Sequence, residues 1–346
     1  MRFQEGLVTL DLESSPVFRE QARAWLTIHP RSADRTPQVL PLGKTYAVVA
    51  DFVDCPPNFL FREPLLVRGD FQCGPGSRFE APVYVGGRCV VGKNSKLLAL
   101  CVEGDCVVGL SARIDTWVDA GGSLDLRAGS WVGEAAMSDR AIQLSLDAGA
   151  AQLFAPEVQT HGHFGGLAEP PPFRGLLEVP TPSSGEIPEF GAVRGFRHDK
   201  LIPLGADTWV YDGSLTLPAP VWIKSKLVVR GSFSCPAGSL IEDDIKCGGS
   251  LHIGGGSVLR GNLTARGELT LDSDCLFEGS LQAGLALRLC SGVRGFRQGA
   301  PVEVSAAEKI LLEPNVVVRG HVAGAQGAWA AQPLIEGGLE LLLAEG

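Results

Sequence analysis

Histidines are the first residues whose type and spacing could carry chemistry. His252 lies in the stretch GGSLHIGGGS, and His161 and His163 lie two residues apart in THGHF. A histidine beside an acyl carrier would serve as the general base of acyl transfer, and His252 and His163 are the candidates for that role. Residues two apart on a strand point to the same side, so His161 and His163 are also a candidate metal-binding pair. Two ligands make an incomplete site, and ordinary corner positions are the favoured interpretation.

Paired carboxylates are the second candidate. The acidic pairs are Asp243 with Asp244 and Asp272 with Asp274. Polysaccharide lyases built on β-helices line an outer groove with such residues. Calcium binding and glycosidic cleavage each need a ligand cluster or a defined carboxylate separation, which nearness in sequence does not establish. A lyase is therefore the weakest of the interpretations considered.

Other catalytic motifs are missing from the sequence. There is no phosphate-binding loop, dinucleotide fingerprint or nucleophile elbow. The nine cysteines form no C-x-x-C pair, a pattern typical of reduced thiols used as small core residues. We therefore predict no catalytic residue, no cofactor and no metal. The phrase VRGFR occurs at 193–197 and again at 293–297, and arginine and aromatic side chains are frequent at docking hot spots. A coil corner with Phe turned inward is the favoured alternative.

The overall composition limits the partners. Thirty Lys and Arg face 39 Asp and Glu, a net charge of -9. Binding to a phosphate backbone needs clustered cations, so we expect no nucleic-acid partner. No run of about 18 apolar residues predicts a transmembrane segment, and the first residues do not form a signal peptide. The sequence predicts a cytoplasmic protein and leaves peripheral membrane association open.

The elements that would position any site are repeats. LVRGDFQCGPGS begins at Leu66 and nearly recurs as VVRGSFSCPAGS from Val228. Residues 65–95 match residues 227–257 at 13 of 31 positions without a gap. This internal similarity predicts two copies of one unit. The copies would cover residues 40–164 and 200–322.

Two shorter periods lie inside each copy. Glycines recur every 17 or 18 residues, and apolar residues recur every six. Since six divides into 18 three times, three short strands per turn would each place one apolar residue inward. We assign the recurring glycines to corners that need a positive φ. The glycines are Gly69, Gly87, Gly104, Gly122, Gly231, Gly249 and Gly267, and the longest apolar series is Cys247, Ile253, Leu259, Ala265, Leu271, Phe277, Ala283 and Leu289.

These patterns predict an all-β fold, a triangular β-helix solenoid with about 17–18 residues per coil in two tandem copies, with a short N-terminal helix. Ser15 is the expected N-cap and Pro16 the first helical residue. We expect this helix to cap the open end of the first solenoid, and recruitment of a partner is the alternative. The segments are 1–39 with the capping helix, 40–164 for copy 1, a Pro-rich linker at 165–199, 200–322 for copy 2 and a C-terminal capping segment at 323–346.

The repeat resembles the bactofilins, also called polymer-forming cytoskeletal proteins. The similarity rests on short V-x-G phrases and on Gly261-Asn262-Leu263 and Gly279-Ser280-Leu281 at the coil turns. The resemblance implies a right-handed triangular β-helix that stacks end to end into nucleotide-independent filaments in the bacterial cytoplasm. Such filaments act as scaffolds for other proteins. Bactofilins usually carry one such domain with disordered tails, whereas this chain has two copies and predicted capping segments.

The rival interpretation is a hexapeptide-repeat acyltransferase with a left-handed β-helix. Hexapeptide-like phrases begin at Val91, Val108 and Ile253, but LDSDCLFEGSLQAG breaks the pattern. We therefore predict a non-enzymatic scaffold that self-associates through coil ends or faces. Its expected partners are other copies of itself and unidentified proteins.

Overall fold

The computed structural model describes residues 15–29, 37–42, 45–161, 200–205 and 207–333. The predicted Pro-rich linker at 165–199 lies outside these residues. The described chain contains one α-helix and 37 short β-strands. The all-β class and the N-terminal helix are thus confirmed.

The first run contains the helix and eighteen strands. They are α1 (Ser15–Ile28), β1 (Gln38–Leu42), β2 (Thr45–Ala50), β3 (Val53–Cys55), β4 (Leu60–Phe61), β5 (Leu65–Val67), β6 (Phe71–Cys73), β7 (Arg78–Phe79), β8 (Val83–Val85), β9 (Cys89–Val91), β10 (Lys96–Leu97), β11 (Leu100–Val102), β12 (Cys106–Val108), β13 (Arg113–Ile114), β14 (Trp117–Ala120), β15 (Leu124–Leu126), β16 (Trp131–Ser138), β17 (Ile142–Leu144) and β18 (Gly149–Thr160).

The second run contains nineteen strands. They are β19 (Leu201–Pro203), β20 (Thr208–Tyr211), β21 (Leu215–Thr216), β22 (Trp222–Ile223), β23 (Lys226–Val229), β24 (Phe233–Cys235), β25 (Leu240–Ile241), β26 (Ile245–Cys247), β27 (Leu251–Ile253), β28 (Val258–Leu259), β29 (Leu263–Ala265), β30 (Leu269–Leu271), β31 (Leu276–Phe277), β32 (Leu281–Ala283), β33 (Leu287–Leu289), β34 (Arg294–Gly295), β35 (Val302–Ala306), β36 (Lys309–Leu312) and β37 (Val317–Ala330).

Most strands pair in parallel with the strand three places later in the chain, as β5 does with β8 and β8 with β11. Three strands therefore make one turn of a solenoid. One stack can be followed through β2, β5, β8, β11, β14, β16 and β18, and another through β20, β23, β26, β29, β32, β35 and β37. The solenoid has about 14 turns in all. At about 4.8 Å per strand, such a stack is about 60 Å long.

The predicted six-residue series forms the core. All eight members of the longest series are buried, from Cys247 at 4% exposure to Ile253 and Leu289 at 0%. Val108, Ile114 and Leu126 of the first run are equally buried. Their outward neighbours alternate with them along each strand, because successive side chains on a strand point to opposite faces. A single apolar cluster extends through both runs.

The two runs meet at their last strands. β18 pairs with β37 in the antiparallel direction, with Leu153 opposite Val322 and Ala150 opposite Ala328. This pairing occupies an edge that would otherwise be free to bind another chain. Copy 2 was expected to end at 322, with a capping segment after it, but the last strand does not stop there. β37 runs on to Ala330, so residues 323–330 belong to the junction.

The predicted place of α1 was also wrong. The helix forms where expected but lies along one side of the first run, where Phe18 packs against Trp117 and Arg19 reaches Asp119. The stack end at β2 is instead covered by β1, which pairs with it in the antiparallel direction. β19 covers β20 in the same way at the start of the second run.

The reason predicted for the recurring glycines was wrong as well. The positive-φ residues lie at another corner, at positions that include Gly76, Asn94 and Ser111, and none of the seven recurring glycines is among them. What those glycines require is space. A Cβ on Gly104 would lie 2.8 Å from the Gly87 carbonyl oxygen of the preceding coil, closer than the packing of coils permits.

Buried serines account for the end of the repeated phrase. Ser77 and Ser239 are the serines of CGPGS and CPAGS, and both are fully buried. The Ser77 hydroxyl donates to the Gly74 carbonyl at 2.8 Å, and the Ser239 hydroxyl donates to the Pro236 carbonyl at 2.9 Å. Each hydroxyl also accepts a backbone N–H from the preceding coil. The serines therefore satisfy corner groups that would otherwise be buried without partners.

Replacement of Val229 by Asp tests the inward series. Val229 is 1% exposed and stacks in register between Tyr211 and Cys247. A buried, uncompensated carboxylate should lower the free energy of unfolding by about 3 kcal/mol or more. Gln282→Asp, on an exposed position of β32, should change it by less than about 0.5 kcal/mol. Thermal and chemical denaturation measure both, and equal stability of the two variants would contradict the inward assignment.

Candidate functional site

An apolar column on the outside of the first run is the most developed surface of the molecule. Its members stack in register on successive strands, and α1 covers them. Phe18, Ala22 and Trp25 supply the helix side of this contact and are almost fully buried. Burying one large apolar side chain contributes about 1.5–3 kcal/mol. The column, called the α1 column below, consists of Val49, Leu66, Tyr84 and Cys101.

The helix runs along the stack, across several coils. Arg68 donates to the carbonyls of Leu26 and His29 at the C-terminal end of α1, and Arg19 binds Asp119 near its N-terminal end. Fourteen residues at 1.5 Å each give a helix of about 21 Å, which matches about four strand spacings. The N-terminus of α1 therefore points toward the junction between the two runs.

Ion pairs fix the register of the helix. The Arg19 guanidinium donates to Asp119 at 2.7 Å, and both side chains are largely buried. Arg23 binds the Glu103 carboxylate, which also accepts a hydrogen bond of 2.8 Å from the Tyr84 hydroxyl. Arg19 and Asp119 are tolerated under the helix because they are paired and hydrogen-bonded, whereas the Arg23 side chain stays about half exposed.

The pKa values of Glu103 and Cys101 in this contact are shifted from their ordinary values. Burial opposes ionisation of Glu103, but hydrogen bonds from Arg23 and Tyr84 and the charge of Arg23 outweigh it, and the net pKa lies below its usual range. Burial beneath α1 raises the pKa of the Cys101 thiol to about 12, although Arg19 lowers it in part. Cys101 is therefore a protonated packing residue and no nucleophile.

In the second run polar residues interrupt the equivalent column. The corresponding outward positions on β23, β26 and β29 carry Val228, Lys246 and Thr264. An apolar helix face gains nothing by covering an ammonium group. The first run therefore offers the better apolar face to α1, the one helix of the described residues.

The outer ends of the stack form a second surface. Among the described residues, β3 and β4 have a partner strand on one side only, and so do β21 and β22 at the other end. Large apolar side chains are exposed beside these edges. They are Phe52 and Leu60 at one end and Ile202 and Leu204 at the other. Unpaired strand edges with apolar neighbours are templates for strand addition.

His252 lies on the exposed side of β27. Its Nε2 is 2.9 Å from Asp272 Oδ2 and its Nδ1 is 3.4 Å from Ser234 Oγ. The structure thus brings together a histidine, a carboxylate and a hydroxyl that are 18 and 20 residues apart in sequence. Sequence reasoning singled out His252 and Asp272 separately and missed Ser234. The three side chains form a row, called the row at His252 below, because the coil period places them on neighbouring coils.

The remaining candidates have structural explanations. Asp243 and Asp244 each accept backbone hydrogen bonds at a coil corner, and Asp274 holds a positive φ. His161 directly follows β18 and has its Nε2 buried, while His163 and residues 193–197 lie outside the described residues. In the second VRGFR phrase, Gly295 takes the inward place above Phe277.

The grouping and the burial of the possible metal ligands and thiols bear on their chemistry. In the parts of the chain that the structure describes, no three His, Cys, Asp or Glu side chains are grouped to hold a metal ion. Burial raises the pKa of the Cys275 thiol to about 12 and that of Cys235 to about 11. No helix in those parts has the length and apolarity needed to span a membrane.

Comparison with known proteins adds no identity. No protein-family model, no curated protein and no solved structure matches the chain.

Replacement of Glu103 by Gln tests the electrostatic part of the α1 contact. Because folding lowers the pKa of Glu103, its contribution is complete above the unfolded value of about 4.3 and is lost as the pH falls through the folded value. Glu103→Gln should lower the free energy of opening of α1 from the solenoid by about 1–2 kcal/mol at pH 7. The variant should also make this free energy less dependent on acid pH. Hydrogen exchange of the α1 amides between pH 7 and pH 3 measures both effects. Glu134→Gln, at an exposed position, is the control, and an equal effect of both variants would contradict this role of Glu103.

Proposed function

We propose that the protein is a non-enzymatic scaffold of the bactofilin type, a rod that self-associates through its two outer ends and presents its sides to other proteins. In this proposal the two runs are tandem copies of a triangular β-helix. The observation that carries it is the combination of one sealed junction, β18 with β37, and two outer ends with one-sided strands.

The junction makes the two outer ends alike. Because the last strands of both runs pair with each other, both outer ends are formed by the first coils of a run. Each end has one strand covered by a hairpin partner, β1 or β19, and two strands that no other described strand covers. Main-chain hydrogen bonds and apolar contact with a second copy would satisfy these edges. A chain with two such ends can extend an assembly in both directions.

Electron microscopy of the purified chain, without nucleotide and over a range of salt and protein concentration, is the first test. We expect filaments or rows of rods. Discrete particles of one chain under all conditions would contradict self-association through the ends.

Variants with one or both ends blocked make the test specific. Leu60→Lys places a charge at one end and Ile202→Lys at the other, and both side chains are about half exposed, so each variant should fold. Because every copy has two ends, we expect either single variant to stop at dimers and the double variant to stay monomeric. Light scattering after size exclusion measures the mass. Leu110→Lys, at an exposed turn, is the control and should assemble as the wild type does. Assembly of the double variant would contradict association through the ends and would indicate association through the faces of the rod.

The row at His252 supports acyl transfer as the second candidate function. A histidine held by Asp272 is oriented as a general base requires, but the row lies on an open strand surface, with His252 47% and Asp272 40% exposed. As the scaffold proposal has no use for a base, we expect thiol release from acetyl coenzyme A in the presence of amines to be equal in the wild type and in His252→Ala. Turnover that falls about 100-fold or more in both His252→Ala and Asp272→Asn would favour the enzyme.

The compartment and the partners complete the proposal. The nine cysteines are all free, as expected of a protein in the reducing cytoplasm. Its partners would be further copies of the chain and other proteins bound along the sides, and the acidic net charge of -9 disfavours nucleic acid.

A further inference from the structure

The outward column under α1 continues beyond the helix. Asp119 stacks in register on Met137, Met137 on Phe154, and Phe154 lies opposite His321 across the junction. Met137 and Phe154 are half-buried and His321 is exposed. Arg19, near the start of α1, pairs with Asp119. Met137 still packs against the edge of the α1 contact, so Phe154 and His321 are the positions of the column that lie beyond it.

These positions form one wall of a groove of about 560 Å3. The helix contributes Arg19 and Glu20, the first run contributes Met137 and Phe154, and the second run contributes Pro301 and His321. Apolar surface thus alternates with charged groups of both signs. A groove of this size and character suits a short peptide segment more than a compact ion.

We propose that residues 1–14 of the same chain occupy this groove and so clasp the two runs together across their junction. The direction of α1 supports this assignment. Its C-terminal end lies at the first coils and its N-terminal end at Asp119, so the chain that precedes Ser15 enters the column where the helix leaves it. A cis segment competes at a high effective concentration against any partner in solution.

The length of the segment is sufficient. From Asp119 to His321 the column takes three strand steps, or about 14 Å. Fourteen residues reach up to about 46 Å when extended. Residues nearest the helix can therefore cover the whole groove.

The sequence of the segment matches the walls. In VTLDLE, the apolar residues Val8, Leu10 and Leu12 alternate with the polar residues Thr9, Asp11 and Glu13. An extended segment would turn the first three toward Met137 and Phe154 and the others toward solvent. Asp11 and Glu13 also lie close in sequence to the positive end of α1, where carboxylates are favoured.

Hydrogen exchange of the full-length chain, followed by mass spectrometry, tests the proposal. We expect the amides of residues 8–13 to exchange at least about 10-fold more slowly than in an unstructured peptide. Leu10→Asp, in the segment, and Met137→Glu, in the groove, should each restore the unprotected rate. Thr9→Asp is the matched control and should leave the protection intact, and unchanged exchange of the inner strands shows that the variants fold.

Three results would overturn the assignment. Unprotected amides at 8–13 in the wild type would show that the segment does not bind. Protection that persists in Met137→Glu would place it elsewhere. Protection that grows with protein concentration would identify a second copy of the chain as the source of the segment, and the cis clasp would be wrong.

Discussion

The stacking of successive coils in register is the constraint on which the rest of the structure depends. The strands are two to four residues long over most of the solenoid, too short to be stable alone. Each is held only because the coils above and below complete its hydrogen bonds. The close spacing forces glycine at corners where a side chain would meet the preceding backbone, and it buries corner hydroxyls such as Ser77 and Ser257. Local preference and packing therefore agree in every coil, as a cooperative stack requires.

Each run of stacked coils has two ends, a first and a last coil, and these two are treated differently. The last coils of the two runs pair with each other through β18 and β37, so these edges are closed within the molecule. The first coils are only partly covered by β1 and β19. Edges that natural proteins leave open are usually managed by charge or by a cover. The apolar side chains beside these edges, Phe52 and Ile202 among them, are therefore more consistent with assembly than with isolation.

The sides of the rod differ for a simple chemical reason. Outward positions do not affect the coil period, so they can differ between the two runs. In the first run they are apolar at Leu66, Tyr84 and Cys101 and are covered by α1. In the second run Lys246 and Gln282 keep the same side polar. The helix is held by apolar burial and by the carboxylates of Glu103 and Asp119, which pair with its arginines.

The coil could be predicted from the order of the residues. The six-residue apolar series and the glycine spacing predicted the all-β solenoid and its inward residues, because a stacked coil repeats the same local environment. Three other features depend on contacts between distant parts of the chain. The pairing of β18 with β37 and the lateral position of α1 join residues that the coil period does not relate. The period does bring Ser234, His252 and Asp272 onto neighbouring coils, but it does not determine how their side chains are oriented. The reason for the glycines was likewise a contact between coils, Gly104 against Gly87, which local backbone preference does not reveal.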